Sequence, residues 1–264
     1  MSEVASESAS SVNGSCRRRS ESLLAGLDPI SLAELMEKAA LQVRIDRKYV
    51  LRLDDALALL PTFDPATRVL EIDGLRTFRY RSVYFDTPDL VSFRLTAQRR
   101  RRRFKIRTRT YVDSAECWLE VKTEGWRGGT VKNRLPYESA DEETVEPGHW
   151  FVADVLGDRA VTGLAPTLVT RYSRTTFHQA AGDSRVTLDT DLTWTGTDGA
   201  QLHTPHLAVI ETKTTAAASP VDRLLWANGH RPARISKYAT GLAALRPELP
   251  SAPWRRTLRR HFAL

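Results

Sequence analysis

The sequence predicts an α+β fold, an antiparallel sheet with flanking helices, and three observations carry that expectation. Between residues 79 and 195, short stretches alternate apolar and polar residues, as half-buried strands do. Helix-period stripes lie ahead of this region (Leu32, Leu35, Met36 and Ala39) and behind it (Val221 to Ala227, Ser236 to Leu245). Finally, charges fall on every second residue of several strands, the clearest being Lys105, Arg107 and Arg109. Counterparts are Arg44-x-Asp46-x-Lys48, Glu120-x-Lys122, Lys132-x-Arg134, Arg185-x-Thr187-x-Asp189-x-Asp191 and Glu211-x-Lys213. The set fits a sheet with one charged face or a barrel with a charged interior.

The elements follow in order. Residues 1–27 are Ser-rich and weakly apolar, and read as a disordered tail. Asp28-Pro29 opens a helix, and Leu41 to Leu53 alternates as a strand. Asp54-Asp55 caps a short helix, Ala56 to Leu60, that Pro61 stops. Tyr80 to Phe85 is a strand ending at the turn Asp86-Thr87-Pro88. Phe104 to Tyr111 and Cys117 to Thr123 form a hairpin around Asp113-Ser114. After a turn at Gly125 to Gly129 comes the strand Val131 to Tyr137, then a short helix, Pro147 to Val155. Thr167 to His178 and Arg185 to Thr193 are strands split by Ala181-Gly182-Asp183, and Leu207 to Thr214 is a buried strand. One domain over 28–248 is expected, with a basic tail over 249–264.

Composition narrows the function classes. The chain has 264 residues, 41% hydrophobic, enough for a substantial core. Lys plus Arg number 39 against 32 acids, a net +7 that favours anionic partners. Cys16 and Cys117 lie far apart and imply neither a disulfide framework nor a cysteine zinc site. With no signal-peptide pattern and no apolar run of about 20 residues, a cytoplasmic protein is expected.

A single charged row is ordinarily the solvated face of a half-buried sheet. The rows here are mostly cationic and span nearly every expected strand. Two like charges about 6 Å apart repel by roughly 3 kcal/mol at an effective dielectric near 20. A closed lining of that kind calls for a compensating polyanion, and phosphate meets Lys as a point charge and Arg as a fork. A carboxylate among bound phosphates calls in turn for a divalent cation, and Glu211, on an apolar strand, is the best candidate ligand.

The chain resembles the VTC domain, the polyphosphate polymerase domain of the vacuolar transporter chaperone complex, in the triphosphate tunnel (CYTH-like) superfamily. The resemblance spans about Arg44 to Leu245. It rests on Arg47-Lys48-Tyr49, Ser82 to Asp86, Lys105-x-Arg107-x-Arg109, Leu119 to Lys122, Val131 to Arg134, Arg171 to Phe177, Arg185 to Leu192, Ile210 to Lys213 and Ile235 to Tyr238. It implies an antiparallel β-barrel forming a Lys/Arg-lined tunnel, in which the γ-phosphoryl group of ATP is transferred to a growing polyphosphate chain with Mn²⁺ or Mg²⁺. Carried onto matching positions, Lys48, Arg107, Arg109, Lys122, Arg174 and Lys237 would be catalytic. Lys105, Lys132, Arg134, Arg185 and Ser236 would bind phosphates. Glu211 would hold the metal, with Glu120 and Asp189 as second metal ligands or orienting groups. An SPX-type regulatory domain and transmembrane segments, known in eukaryotic relatives, are not expected here. The implied partners are ATP and polyphosphate, with room for an unidentified membrane partner and no specific nucleic acid.

Other signals read more plainly. Arg99 to Arg103 is a solvated loop leading into the cationic strand, or else a nucleic-acid contact or a feeding path for polyphosphate. Gly125 to Gly129 lacks the Gly-Lys-Ser/Thr of a phosphate loop and reads as a hairpin turn. Trp254 to Phe262 is a docked or frayed basic helix, with a membrane contact as the alternative. His203 and His206 flank Pro205 in a surface loop. No nucleophile–His–Asp arrangement is legible, as suits phosphoryl transfer by positioning and charge. Two rivals to the polymerase remain: a triphosphatase or nucleotide hydrolase on the same barrel, and a non-catalytic polyphosphate- or RNA-binding module.

Overall fold

A computed structural model describes residues 18–38, 45–125, 129–157, 162–181, 184–214 and 218–262. Arg44, the tip of the Gly125–Gly129 turn and Gly182-Asp183 lie outside those segments. The chain divides into two compact units. Its fold class is α+β, with mostly antiparallel pairing and eight α-helices among the described residues.

The first unit takes in residues up to Thr77, Arg174–Asp191 and Pro205–Ala233. Residues 18–25, which the sequence suggests are tail, form a helix (α1) that buries Leu24. Asp28–Ile30 is a strand (β1), not a helix start, and pairs in parallel with Arg68–Leu70 (β3). The helix begins later, at Leu32–Lys38 (α2), where the Ser31 hydroxyl accepts from the Glu34 N–H. Ile45–Arg52 (β2) pairs with Leu207–Thr214 (β11), which pairs on its other side with Ser184–Gly196 (β9). The helix Leu53–Leu59 (α3) starts before its acidic pair, so Asp54 and Asp55 sit in the first turn, where the helix dipole favours them. Ser219 and Asp222 form a capping box around Pro220 at the start of Pro220–Ala227 (α6).

The second unit takes in Phe78–Ser173, Leu192–Thr204 and Arg234–Leu264. Its strands Phe78–Asp86 (β4), Phe104–Tyr111 (β5), Glu116–Glu124 (β6) and Thr130–Tyr137 (β7) pair in sequence, all antiparallel. Ala165–Gln179 (β8) lies beside β4, and Gln201–Thr204 (β10) pairs with the end of β9. Four helices complete it: Val91–Ala97 (α4), His149–Leu156 (α5), Lys237–Leu245 (α7) and Arg255–His261 (α8).

Neither unit closes its sheet into a ring among the described residues: β2 pairs only with β11, and β7 only with β6. One expected row is also cut short. Asp191 adopts a left-handed backbone (φ 53°), and its side chain is exposed while Asp189 is buried.

Candidate phosphate-binding faces

Strand alternation sorts the first unit cleanly. Tyr49, Leu51, Val186, Leu188, Ala208 and Ile210 belong to one apolar core. The residues between them therefore face the other way: Asp46 and Lys48 on β2, Arg185, Thr187 and Asp189 on β9, Glu211 and Lys213 on β11. The register places Glu211 between Lys48 and Thr187, and Lys213 between Asp46 and Arg185.

Glu211 is the hub of this face. Its Oε1 accepts from Lys213 Nζ at 2.6 Å and meets Lys48 Nζ at 3.2 Å. Burial alone would push the carboxyl pKa up, but Lys213, Lys48 and Arg174 outweigh it and hold Glu211 ionised well below the usual range. Lys213 also reaches Asp46 at 3.7 Å. Burial lowers the pKa of its ammonium against the opposing pull of Glu211 and Asp46. Arg174 grips Asp189 as a fork, Nε to Oδ1 at 2.6 Å and Nη2 to Oδ2 at 2.8 Å.

The second unit repeats the arrangement on different strands. Val83, Phe85, Phe104, Ile106, Leu119 and Val121 fill its core, so Ser82, Tyr84, Lys105, Arg107, Arg109, Glu120 and Lys122 share the opposite face. Lys105 lies opposite Lys122, Arg107 opposite Glu120, Glu120 opposite Arg134, and Lys122 opposite Lys132. Glu120 is the single carboxylate at the centre, 1% exposed. Its Oε2 accepts from Arg107 Nε at 2.8 Å and Nη2 at 2.6 Å, while Oε1 meets Lys132 at 3.6 Å and Arg109 at 3.8 Å. Burial raises its pKa, yet Arg109, Lys122 and Lys132 bring the net shift downward. Lys132 is lowered by burial, against the pull of Glu120.

Aromatic rings back these cations. Arg107 donates to the Tyr84 hydroxyl at 3.0 Å. The Lys237 ammonium lies 4.1 Å over the Tyr172 ring, and Arg134 lies 4.4 Å over Trp118. Lys237 opens α7, and the Ser236 hydroxyl caps that helix by accepting from the Ala239 N–H at 3.2 Å. Tyr238 is fixed behind them: its hydroxyl donates to Asp86 at 2.5 Å.

A model of the VTC domain matches residues 43–246. The chain belongs to the VTC domain family. No curated protein matches it. Among solved structures it is similar to a Hippeastrum protein described as an adenylyl cyclase with a dominant triphosphatase activity (18% identity, TM-score 0.43, covering 75% of this chain and 95% of that one). It is also similar to a Vibrio parahaemolyticus protein described as an adenylate cyclase (15%, TM-score 0.38, 80% and 92%). A conserved hypothetical protein from Pyrococcus furiosus matches as well (13%, TM-score 0.39, 70% and 88%).

In this VTC domain the expected site residues fall into two groups. Lys48, Arg174, Arg185, Asp189 and Glu211 lie in the first unit. Lys105, Arg107, Arg109, Glu120, Lys122, Lys132, Arg134, Ser236 and Lys237 lie in the second. Sequence reasoning left Lys213 off the site, although it contacts Glu211 more closely than Lys48 does. The alternation Glu211-x-Lys213 was the available signal. Tyr84, Tyr172 and Asp86 lie in stretches that carry the resemblance, but nothing in the alternation of β4 and β8 marked them as backing the cations. Arg99 to Arg102 are exposed in a loop, as the plainer reading expects; of the two histidines expected in a surface loop, His206 lies in a turn, whereas His203 is exposed on strand β10, paired with Thr193.

No group of three or more His, Cys, Asp or Glu side chains that could hold a metal ion occurs among the described residues. Mg²⁺ needs no such cluster, because one or two carboxylates can share the ion with phosphate oxygens and water. Glu211 suits such a role: it is ionised, and both lysine contacts fall on Oε1, leaving Oε2 for a ligand. Glu120 and Asp189 are each engaged by an arginine fork, an arrangement that orients Arg107 and Arg174.

Proposed function

We propose that this VTC domain is an ATP-dependent polyphosphate polymerase that transfers the γ-phosphoryl group of ATP to the end of a polyphosphate chain. One observation carries the reading: each unit presents a dense cationic face organised around buried carboxylates, Glu211 and Asp189 in the first and Glu120 in the second. Arg107 and Arg174 are held as rigid forks by Glu120 and Asp189, which matches the geometry of phosphate oxygens. Lys48, Lys122, Lys132 and Lys237 add point charges, and Arg109, Arg134, Lys105 and Arg185 extend the faces. Together they would neutralise the charge spread over the equatorial oxygens of the transferring group.

The attacking atom would be a terminal phosphate oxygen that is already ionised, so no strong general base is needed. Mn²⁺ or Mg²⁺, held through Glu211 and phosphate oxygens, would supply charge neutralisation across the phosphates. The Ser236 hydroxyl accepts from the backbone as a cap and keeps its own proton to donate to phosphate. ATP and polyphosphate are the proposed partners, and any membrane partner would have to be found by capture. No helix among the described residues is long and apolar enough to cross a membrane.

Incubation of the protein with ATP and Mn²⁺, followed by separation of products, tests the reading. Long phosphate chains with ADP are expected. Free phosphate alone would make the protein a triphosphatase. Neither product, with polyanion binding unaffected by Glu211→Gln, would make it a binding module.

A further inference from the structure

Two buried hydroxyls on the charged faces have no role in the arrangement described above. Thr187 on β9 lies directly opposite Glu211, between Arg185 and Asp189 on the same face. It is 2% exposed, and its Oγ1 has no hydrogen-bond partner among the described residues. Ser82 on β4 lies opposite Arg109 in the second unit; it is fully buried, and its Oγ likewise lacks a partner. On the reverse side of the neighbouring strands β11 and β5 the buried hydroxyls are satisfied, although Ser184, on the reverse side of β9 itself, also lacks a partner among the described residues. Thr212 donates to Asp222 at 2.6 Å, and Thr108 donates to the Glu142 carbonyl at 2.6 Å.

The chemistry of the faces says what is missing. Ammonium and guanidinium groups crowd them, so donors are plentiful. Acceptors are scarce: Asp189 and Glu120 are held by arginines, Glu211 Oε1 is held by two lysines, and Glu211 Oε2 makes no hydrogen bond to Thr187. A hydroxyl there can accept from a cation, but its own proton has nowhere to go. An oxyanion drawn in by the cations is the acceptor that would complete it.

We propose that Thr187 and Ser82 are phosphate-binding residues, one in each unit, whose hydroxyls donate to oxygens of a bound phosphate chain. The inference rests on the phosphate reading of these faces and adds to it a neutral donor beside each carboxylate hub. Such a donor holds an oxygen without adding charge, so it contributes affinity with no added repulsion in the empty face. The lysines contacting Glu211 would turn toward phosphate as the chain enters, opening the way to Thr187.

Titration calorimetry with inorganic tripolyphosphate tests this on Thr187→Val, Thr187→Ser and Ser82→Ala. Loss of a hydrogen bond to a charged group predicts affinity weakened about tenfold for Thr187→Val and Ser82→Ala, with Thr187→Ser close to wild type. The salt dependence of binding should be unchanged in all three, because no charge is removed. Without ligand, Thr187→Val and Ser82→Ala should melt at or above the wild-type temperature, since each removes an unsatisfied buried group. Wild-type affinity in both Thr187→Val and Ser82→Ala would overturn the inference and leave the phosphate reading standing. Absence of tripolyphosphate binding by the wild-type protein would overturn that reading itself.

Discussion

Lys48→Ala and Arg107→Ala each remove a cation that contacts a central carboxylate, Glu211 in one unit and Glu120 in the other. Lys48 is the milder structural change, since its side chain is about a third exposed. We expect polymer synthesis from ATP to fall at least a hundredfold in Lys48→Ala, as for loss of one preorganised charge donor, with an unchanged circular dichroism spectrum. Full activity in both variants would remove these faces from the reaction. The pH response follows from the same groups. Lys213 and Lys132 are lowered by burial, so tripolyphosphate affinity should decline on the alkaline side before the usual lysine value of 10.5 is reached. Burial would raise Glu211, but Lys213, Lys48 and Arg174 lower it on balance, so its stabilising contribution is complete above the ordinary value of 4.5 and is lost as pH falls through its lower folded value. Glu211→Gln should therefore flatten the acid limb of a melting-temperature profile. Cation spacing made most of these residues legible in the sequence. What it could not show was pairing: that Glu120 gathers Arg107, Arg109 and Lys132, or that Tyr172 lies under Lys237, depends on which strands are neighbours.

Elements are anchored by two buried carboxylates behind the faces. Asp222, fully buried, accepts from Tyr49 at 2.7 Å, Thr212 at 2.6 Å and the Ser219 N–H at 2.7 Å, with Arg47 at 3.3 Å. It thus ties β2 and β11 to the start of α6. Asp222→Ala strands several buried donors at once and should cost about 3–5 kcal/mol, read as a lowered denaturant midpoint. Asp86 accepts from the Thr87, Ser92 and Phe93 N–H groups and from Tyr238, capping α4 while holding α7. α7 also passes so close to Trp194 that a Cβ on Gly241 would lie 2.1 Å from the indole Cδ1. Gly241→Ala should destabilise by about 1–3 kcal/mol or more through overpacking, measurable by the same unfolding curve. The helical stripe Val221 to Ala227 was visible in the sequence, but the Ser219–Asp222 box that starts the helix was not read from it. α4 was not visible, because its cap comes from Asp86, several residues upstream, and its seven residues show too little periodicity. β1, β3 and β10 were equally hidden: three or four residues carry almost no alternation.

At the scale of the whole molecule, the excess of cations should make stability depend on anions. Tripolyphosphate at a hundred times its dissociation constant would stabilise the fold by about 2.7 kcal/mol. For a chain of this size that corresponds to a melting temperature raised by roughly 5–10 °C, detectable by scanning fluorimetry. The sequence reads as one domain over 28–248, and the chain divides into two compact units, each assembled from three separated segments. Period-two alternation runs on through β8 and β9, so nothing in it marks where the contacts of each strand change unit. The left-handed residue Asp191, beside that change in β9, is the one local sign, and an aspartate in a charged row does not announce it.

The interleaving of segments has a consequence for synthesis. Tyr49 and Asp222 meet across 173 residues of sequence, and among the described residues β2 pairs with no strand other than β11. On a ribosome moving at about 5–20 residues per second, β2 therefore waits about 10–35 s for that partner to emerge. During that interval Tyr49 and Leu51 have no β11 to pack beside, and Lys48 and Arg47 have no carboxylate from the far segment. The nascent chain is thus a client for holding factors, and slowed translation between residues 53 and 206 should lower the yield of folded protein more than slowing after residue 233.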